Sequence, residues 1–291
     1  MSNVICFYHT DLDGICSAAI VQHSHSVDIE FRGINYGHDF PWKDIQDKTV
    51  IMVDFSLQPF DDMIRLAKEA KSFTWIDHHK TALAEERKVS QHIDGLRRDG
   101  EAGCELTWDF FMGGERPWPV TALGRWDVWD HSDPRYNHFQ FGMRSINPMP
   151  EDAIWKQLFD TSIYANTFSA NIVEIGKSIV EYTSQAFAEM VSAYAFETRF
   201  EGLKIIACNC AFRGGSKIFE SVWDEEKYDA MLVYRWSPKA GAYTCSLYTE
   251  KEGVDVGEIA KQYGGGGHKG AAGFQFTEFP FPQSEIPING R

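Results

Sequence analysis

The chain has 291 residues, 43% of them hydrophobic, enough for one large or two medium domains with real cores. Its formal net charge is −14, from 28 Lys and Arg against 42 Asp and Glu. That balance argues against a long nucleic-acid duplex as partner, because duplex affinity comes from basic side chains neutralising phosphates; a small phosphorylated ligand held at a metal is compatible with it. No apolar run approaches a membrane span and the amino terminus carries no basic leader, so a soluble protein without membrane contact is expected. The six cysteines include no CxxC pair, which points to reduced thiols and a cytoplasmic location.

The first predicted element is a strand over the apolar run VICFY at 4–8. It stops at His9, Asp11 and Asp13, which fall on every second residue and share one side of the backbone if the extended geometry persists. Gly14 breaks the pattern and ICSAAIVQ reads as a helix. A second strand is expected over 27–36. Residues 48–56, KTVIMVDFS, form a nearly continuous apolar run ending at Asp54, the pattern of a strand buried on both faces. Pro59 opens a helix, and FTWIDHHK follows as a strand ending in Asp77, His78 and His79. Strands alternating with helices predict parallel βαβ units.

Residues 102–113 read as a helix with core aromatics. In the segment that follows, Trp126 and Trp129 read as core, and Asp130, His131 and Asp133 as a solvated turn. From 151 to about 196 the pattern is helical. It then changes: LKIIACNCAF predicts a strand, GSKIFESVWDE a helix, and residues 228–237 and 242–250 a strand pair about a turn at 239–241. A helix over 254–264 with Asp255 as N-cap leads into GGGGHKGAAG, a last strand and a Pro-rich extended tail. His23, His25, His38, His92 and His138 have no such neighbours and read as ordinary residues.

Three strand ends thus carry acidic or imidazole groups. A single Asp after a strand is usually a cap or turn residue, and a single buried His is usually just hydrogen-bonded. Three successive strand ends of a parallel sheet are different, because their carboxyl ends lie on one edge and the groups converge there; Asp127 can join them from the following segment. Clustered carboxylates repel unless something positive lies among them. The set suits two divalent cations, about 3.5–4 Å apart with a carboxylate between them. Mixed His and carboxylate ligands favour Mn²⁺, with Zn²⁺, Fe²⁺ and Co²⁺ following less decisively. In the glycine run, Gly265, Gly266 and Gly267 permit backbone conformations that form a concave nest for an anion, and His268 beside them can donate to phosphate.

These motifs resemble the DHH phosphoesterases that join a DHH domain to a DHHA1 domain, of the short stand-alone nanoRNase or nucleotide phosphatase type. HTDLDG at 9–14, VDFS around Asp54 and IDHHK around Asp77 look like the first three family motifs; WDVW around Asp127 is similar to the fourth, and GGGGHKGAAG to the DHHA1 signature. The resemblance implies an α/β fold in which a Rossmann-like parallel-sheet DHH domain (1–150) is joined by a helical linker (151–197) to a smaller α/β DHHA1 domain (198–291). It implies one metal on His9, Asp11 and Asp54 and another on Asp13, His78 and Asp127, with Asp54 bridging. Asp77 and His79 would act in catalytic support, and the glycine loop with His268 would hold the substrate's other end. Many relatives carry a phosphate-gripping arginine where this chain has Tyr248; Arg213 or Arg235 is the candidate substitute.

The implied activity is Mn²⁺-dependent hydrolysis of phosphodiester bonds in small nucleotides: short oligoribonucleotides, or linear or cyclic dinucleotides. The alternatives are a phosphomonoesterase acting on a nucleotide bisphosphate such as 3′-phosphoadenosine 5′-phosphate, and a non-catalytic nucleotide-binding module. The absence of an additional binding module argues against a processive exonuclease on long strands. Oligomeric state is open, a homodimer among the options.

Overall fold

Four apolar runs of the amino-terminal half form one sheet: β1 (Val4–His9), β2 (Ile29–Ile34), β3 (Thr49–Val53) and β4 (Ser72–Ile76). All pairings are parallel and the order is β2-β1-β3-β4. Registers run Val4 against Ile29 and Thr49, and Thr49 against Ser72, so the carboxyl ends are level. The chain leaves β1 toward β2 on one side and returns as β3 on the other, which makes the carboxyl ends of β1 and β3 the topological switch point where open α/β sheets bind ligands. This is a computed structural model, and it describes residues 2–88, 93–160, 163–212, 214–278 and 281, with the side chains of 163–166 excepted. Two compact units divide the chain, Met1–Val180 and Glu181–Arg291.

In the first unit the helices are α1 (Leu12–Ser24), α2 (Asp61–Glu69), α3 (Lys80–Glu85), α4 (Gly103–Phe111), α5 (Trp118–Asp127), α6 (Pro134–Ile146) and α7 (Ile154–Leu158). Alternate residues of the sheet feed two cores, as the period of two requires. Phe7, Val50, Met52 and Trp75 pack against Met63 and Leu66 of α2. Cys6, Tyr8, Ile51, Val53 and Ile76 pack against Ala18 and Val21 of α1 and Leu106 of α4. The opposite flank of α1 (Leu12, Cys16, Ala19, Ile20) joins Leu123, Phe139, Met143 and Trp155 in a helical core. Sheet and helices thereby sandwich α1 between two apolar layers, which fixes where its amino terminus meets the end of β1.

The 32-residue helix α8 (Ile163–Tyr194) contains the division between the units. The second unit is a six-stranded mixed sheet: β5 (Ala195–Phe200), β6 (Leu203–Asn209), β7 (Ala230–Ser237), β8 (Ala242–Tyr248), β9 (Gly266–His268) and β10 (Ala271–Phe276), in the order β5-β6-β7-β8-β10-β9. Helix α9 (Val256–Gln262), capped by the Asp255 carboxylate accepting from Gly257 and Glu258 amides, covers one face through Val256 and Ala260. Phe187 and Val191 of α8 cover the other with Phe219.

Several elements differ from the sequence expectation. The helix predicted over 215–225 is a 3₁₀ turn, Gly215–Phe219, because Gly215 enters it at a φ of +60°. Helical periodicity carried to 196 overran a strand: Ala195–Phe200 pairs antiparallel with β6, burying Thr198 and Phe200 on alternate positions. Trp129 is 71% exposed rather than core, with a φ of +64° and its ring edge-on to His131. Part of the glycine run is a strand, β9, pairing with β10 through Gly266–Gly273 and His268–Ala271. His92, Arg213 and the Pro-rich tail beyond Phe281 lie outside the described residues. Among the described residues no helix is long and apolar enough to cross a membrane, and all six cysteines are free and buried.

Candidate metal centre

The end of β1 turns directly into α1, so three polar side chains are placed within five residues. Asp11 is the α1 N-cap, its Oδ1 accepting from the Gly14 amide at 2.9 Å, while its Oδ2 lies 2.7 Å from His9 Nδ1. Asp13 sits in the first helical turn, fully buried, and reaches across to the start of α4. There its oxygens accept from the Gly103 and Cys104 amides, both at 2.7 Å. A buried carboxylate at a helix amino terminus gains from two charge-assisted bonds and from the helix dipole. Gly103 is required by close approach: a Cβ there would come within 2.6 Å of Asp54 Cβ. Gly14 is required in the same way, by the His9 carbonyl oxygen at 2.1 Å.

Asp54 follows β3 with a φ of +54°, a conformation that non-glycine residues adopt at a cost, and it is 1% exposed. The bend turns its carboxylate into the cluster, 3.2 Å from His78 Nε2 and 3.8 Å from His9 Nδ1. His78 Nε2 also lies 3.6 Å from Asp13 and 3.3 Å from Asp127, the last residue of α5. Asp77, after β4, is completely buried; its Oδ1 accepts the amides of His78 and His79 and meets His79 Nδ1 at 2.7 Å. An acceptor-only carboxylate requires the proton on Nδ1, which leaves the His79 Nε2 edge for chemistry.

Two sets of possible ligands result, His9/Asp11/Asp54 and Asp13/His78/Asp127, and a third, Asp54/His78/His79, overlaps them; within each, ligand atoms lie within 4.8 Å of one another. The electrostatics report an excess of negative charge. Burial pulls the His9 imidazole's pKa down, but contact with Asp11 and Asp54 outweighs it and the group is pushed up to about 10. His78 behaves alike, burial being overcome by Asp54, Asp13 and Asp127, and reaches about 10. Burial and the Asp54 charge push Asp13 up to about 8, and burial with the Asp13 charge pushes Asp127 up to about 7. Among the described residues, protonated His9 and His78 thus supply positive charge inside the cluster. Both Asp54 oxygens are buried without an aligned hydrogen bond. Buried carboxylate oxygens without aligned hydrogen bonds, set among imidazoles and further carboxylates, are what divalent cations neutralise, so the residues present fit two such ions.

The structure brings together all eight of the residues singled out in the sequence, and adds supports that sequence reasoning missed. The Gly103 and Cys104 amides come from a helix read only for its aromatics. A sharper signal was Glu105, three residues after Ala102, whose carboxylate accepts the Ala102 amide at 3.1 Å and fixes the helix start. Tyr36 was missed altogether. Its ring is 48% exposed, 6.1 Å from the His9 ring and 6.4 Å from the His79 ring. Arg144 stacks over Trp126, its guanidinium carbon 4.7 Å from the centroid; burial lowers its pKa and the Asp11 charge opposes that shift. Asp130 and Asp133 are not in the cluster: Asp130 accepts from the Ser132 amide and Asp133 caps α6.

The remaining predicted residues lie in the second unit. Arg235 lines a hollow of about 270 Å³ with Phe212, Val233, Ser246 and Tyr248. His268 is exposed on β9; Gly265 packs where a Cβ would meet the Gly273 carbonyl oxygen at 2.1 Å, and Gly267 has a φ of +148°.

Residues 3–123 match the family model described as "DHH family, N-terminal domain". The chain is 25% identical over 253 residues to an uncharacterized protein, R106, of Acanthamoeba polyphaga mimivirus, a match covering 80% of this chain and 54% of that protein's own length. It is 21% identical to the oligoribonuclease NrnB of Bacillus subtilis, over 94% of this chain and 72% of the relative. Among solved structures, a DHH domain described as a member of the s1p family of ribosomal proteins aligns with a TM-score of 0.60 at 13% identity, covering 94% of this chain and 83% of that one. The pGpG-specific phosphodiesterase PggH of Vibrio cholerae aligns at 0.52 and 13% identity, covering 94% and 92%. Exonuclease RecJ bound to manganese aligns at 0.51 and 13% identity, covering 93% and 85%. At such identities the structural likeness is one of fold. Together with the four-stranded parallel sheet and the motifs at its carboxyl edge, the family-model match identifies residues 3–123 as a DHH-type N-terminal domain.

Proposed function

We propose that this chain is a divalent-cation-dependent phosphoesterase, most at home with Mn²⁺, that hydrolyses phosphodiester bonds in short oligoribonucleotides or dinucleotides. The observation that carries the reading is Asp54: one buried carboxylate without aligned hydrogen bonds, shared by the His9/Asp11/Asp54 and Asp54/His78/His79 sets, with His78 in turn joining the Asp13/His78/Asp127 set. The match of residues 3–123 to the DHH N-terminal domain supports it, as does the likeness to proteins described as an oligoribonuclease and a pGpG phosphodiesterase.

On this reading His9, Asp11 and Asp54 hold one ion and Asp13, His78 and Asp127 the other. Ions bound there would supply hydroxide near neutral pH and would neutralise charge building on the phosphoryl oxygens. The protein supplies the rest. The α4 amides lock the Asp13 carboxylate, and the strained backbone at Asp54 aims its oxygens inward, so the ligands are positioned before substrate arrives. Asp77 holds the His79 ring so that Nε2 faces the reacting group and delivers a proton to the leaving oxygen. Arg144, stacked over Trp126 and close enough to feel the Asp11 charge, is a phosphate contact. Residues 198–291 act as a DHHA1 substrate-binding domain, with Arg235 and His268 as its polar contacts.

The test is hydrolysis of a panel with Mn²⁺: RNAs of two to ten nucleotides, a linear and a cyclic dinucleotide, and 3′-phosphoadenosine 5′-phosphate. Mononucleotide release from the short RNAs or the linear dinucleotide supports the diesterase reading. Inorganic phosphate from the bisphosphate alone replaces it with a monoesterase. Bound but intact ligand throughout leaves a binding module.

A further inference from the structure

Beside the metal centre, within the first unit, the chain forms a hollow of about 210 Å³ where β2 and β3 end. Its floor is apolar: Phe55 and Leu57 are buried, 2% and 5% exposed. Its wall is the Tyr36 ring, 4.7 Å from the Phe55 ring, one face against Phe55 and half its surface open. Phe55 in turn stacks on the His9 ring at 6.0 Å. The rim is polar, with Asn35, Asp39, Gln58 and Asp62. Asn35 Oδ1 accepts from Thr10 Oγ1 at 2.9 Å, one residue past His9, which turns the Asn35 amide NH₂ outward as a donor.

We infer that this hollow is the subsite for one nucleobase of the substrate, with Tyr36 as its stacking platform; the inference rests on, and deepens, the phosphoesterase reading above. Four features select that occupant. A large aromatic side chain half exposed beside a buried polar centre is poorly explained by packing, and every base offers a π-face to it. The volume is below that of a typical site for a drug-sized ligand, about 300–1,000 Å³, and so suits one ring system rather than a whole dinucleotide. Two carboxylates on the rim, Asp39 and Asp62, disfavour a phosphate there and accept from amino and imino groups on a base edge. Finally, Tyr36 is 6.1 Å from His9 and 6.4 Å from His79, so a base stacked on it carries its phosphate toward those imidazoles. Tyr36 is a specificity residue in this scheme, placing the scissile phosphate through the base.

The experiment compares wild type, Tyr36→Ala and Tyr36→Phe on a linear dinucleotide and on its analogue lacking both bases. Loss of stacking raises KM for the dinucleotide about 5- to 100-fold in Tyr36→Ala with kcat little changed, while Tyr36→Phe, which keeps the ring, stays within about twofold of wild type. On the baseless analogue the three proteins have equal kcat/KM. An unchanged dinucleotide KM in Tyr36→Ala, or an equal loss on the baseless analogue, overturns the subsite. If wild type leaves every phosphoester intact, it is the phosphoesterase reading that fails, and the hollow is then read by calorimetric binding of adenosine and guanosine monophosphates. Weaker binding to Tyr36→Ala, with ribose 5-phosphate unaffected, upholds the subsite; equal binding to wild type and Tyr36→Ala overturns it.

Discussion

His79 Nδ1 lies 2.7 Å from Asp77 Oδ1, and that same oxygen accepts the backbone amides of His78 and His79. One buried carboxylate therefore sets both the path of the chain between two histidines and the orientation of the second ring. In the proposed reaction this ring protonates the leaving oxygen. Asp77→Asn keeps the shape but removes the charge, and should lower kcat on a dinucleotide about 10- to 100-fold. A diester with a p-nitrophenolate leaving group needs no protonation and should lose much less. Equal losses on both substrates would show that Asp77 supports the fold of the centre and not proton delivery.

Asp54→Asn is the sharper probe of the shared carboxylate. Asn tolerates the φ of +54° as well as Asp does, so the fold should persist with a native circular dichroism spectrum. Mn²⁺-dependent hydrolysis should fall by more than about 100-fold, and calorimetry should find fewer than two ions bound per chain. Retained activity with two bound ions would remove Asp54 from the centre.

Gly103→Ala puts a methyl group 2.6 Å from Asp54 Cβ and 3.0 Å from Asp13 Oδ2. Helix propensity alone favours Ala by about 1 kcal/mol in a helix interior. The expected outcome is the reverse of a propensity effect: weaker Mn²⁺ affinity, by about 10-fold or more, and reduced activity, because the two carboxylates must move apart. Titration with Mn²⁺ followed by activity checks it.

The metal-free cluster binds protons that cations must displace. His9, His78, Asp13 and Asp127 all have folded pKa values above their free ones, so their contribution to metal-free stability is complete below the free values of 3.8 for Asp and 6.5 for His. It is lost as pH rises through about 7 for Asp127, about 8 for Asp13 and about 10 for the two imidazoles. Cations bind the deprotonated set. The Tm gained on adding saturating Mn²⁺ should therefore grow between about pH 6 and about pH 8.5, and binding near pH 7 should release protons into a weakly buffered solution. Scanning calorimetry with and without Mn²⁺ measures the first; a Tm gain that shrinks with rising pH contradicts it.

The sequence by itself was enough to determine the parallel sheet and the polar groups at its edge. Both are local signals: apolar runs such as TVIMV have the length and composition of strands buried on two faces, and His9, Asp54, Asp77 and His78 follow those runs immediately. Once the strands are parallel and in register, their carboxyl ends must gather. What only the tertiary structure decided depends on residues distant in the chain. The amides of Gly103 and Cys104 hold Asp13 from 90 residues away, the Tyr36 ring leans on Phe55 beside His9, and Asp127 enters from the end of a helix that packs on α1. The carboxyl half shows the same limit. AFETRF continues a helical pattern yet becomes an edge strand because β6 offers it a partner, and the glycine run reads as an anion nest yet pairs in part with β10. A strand is stabilised by hydrogen bonds to a neighbour that local sequence does not contain, so periodicity located all four strands of the first sheet and left β5 and β9, the two edges of the second, to the fold.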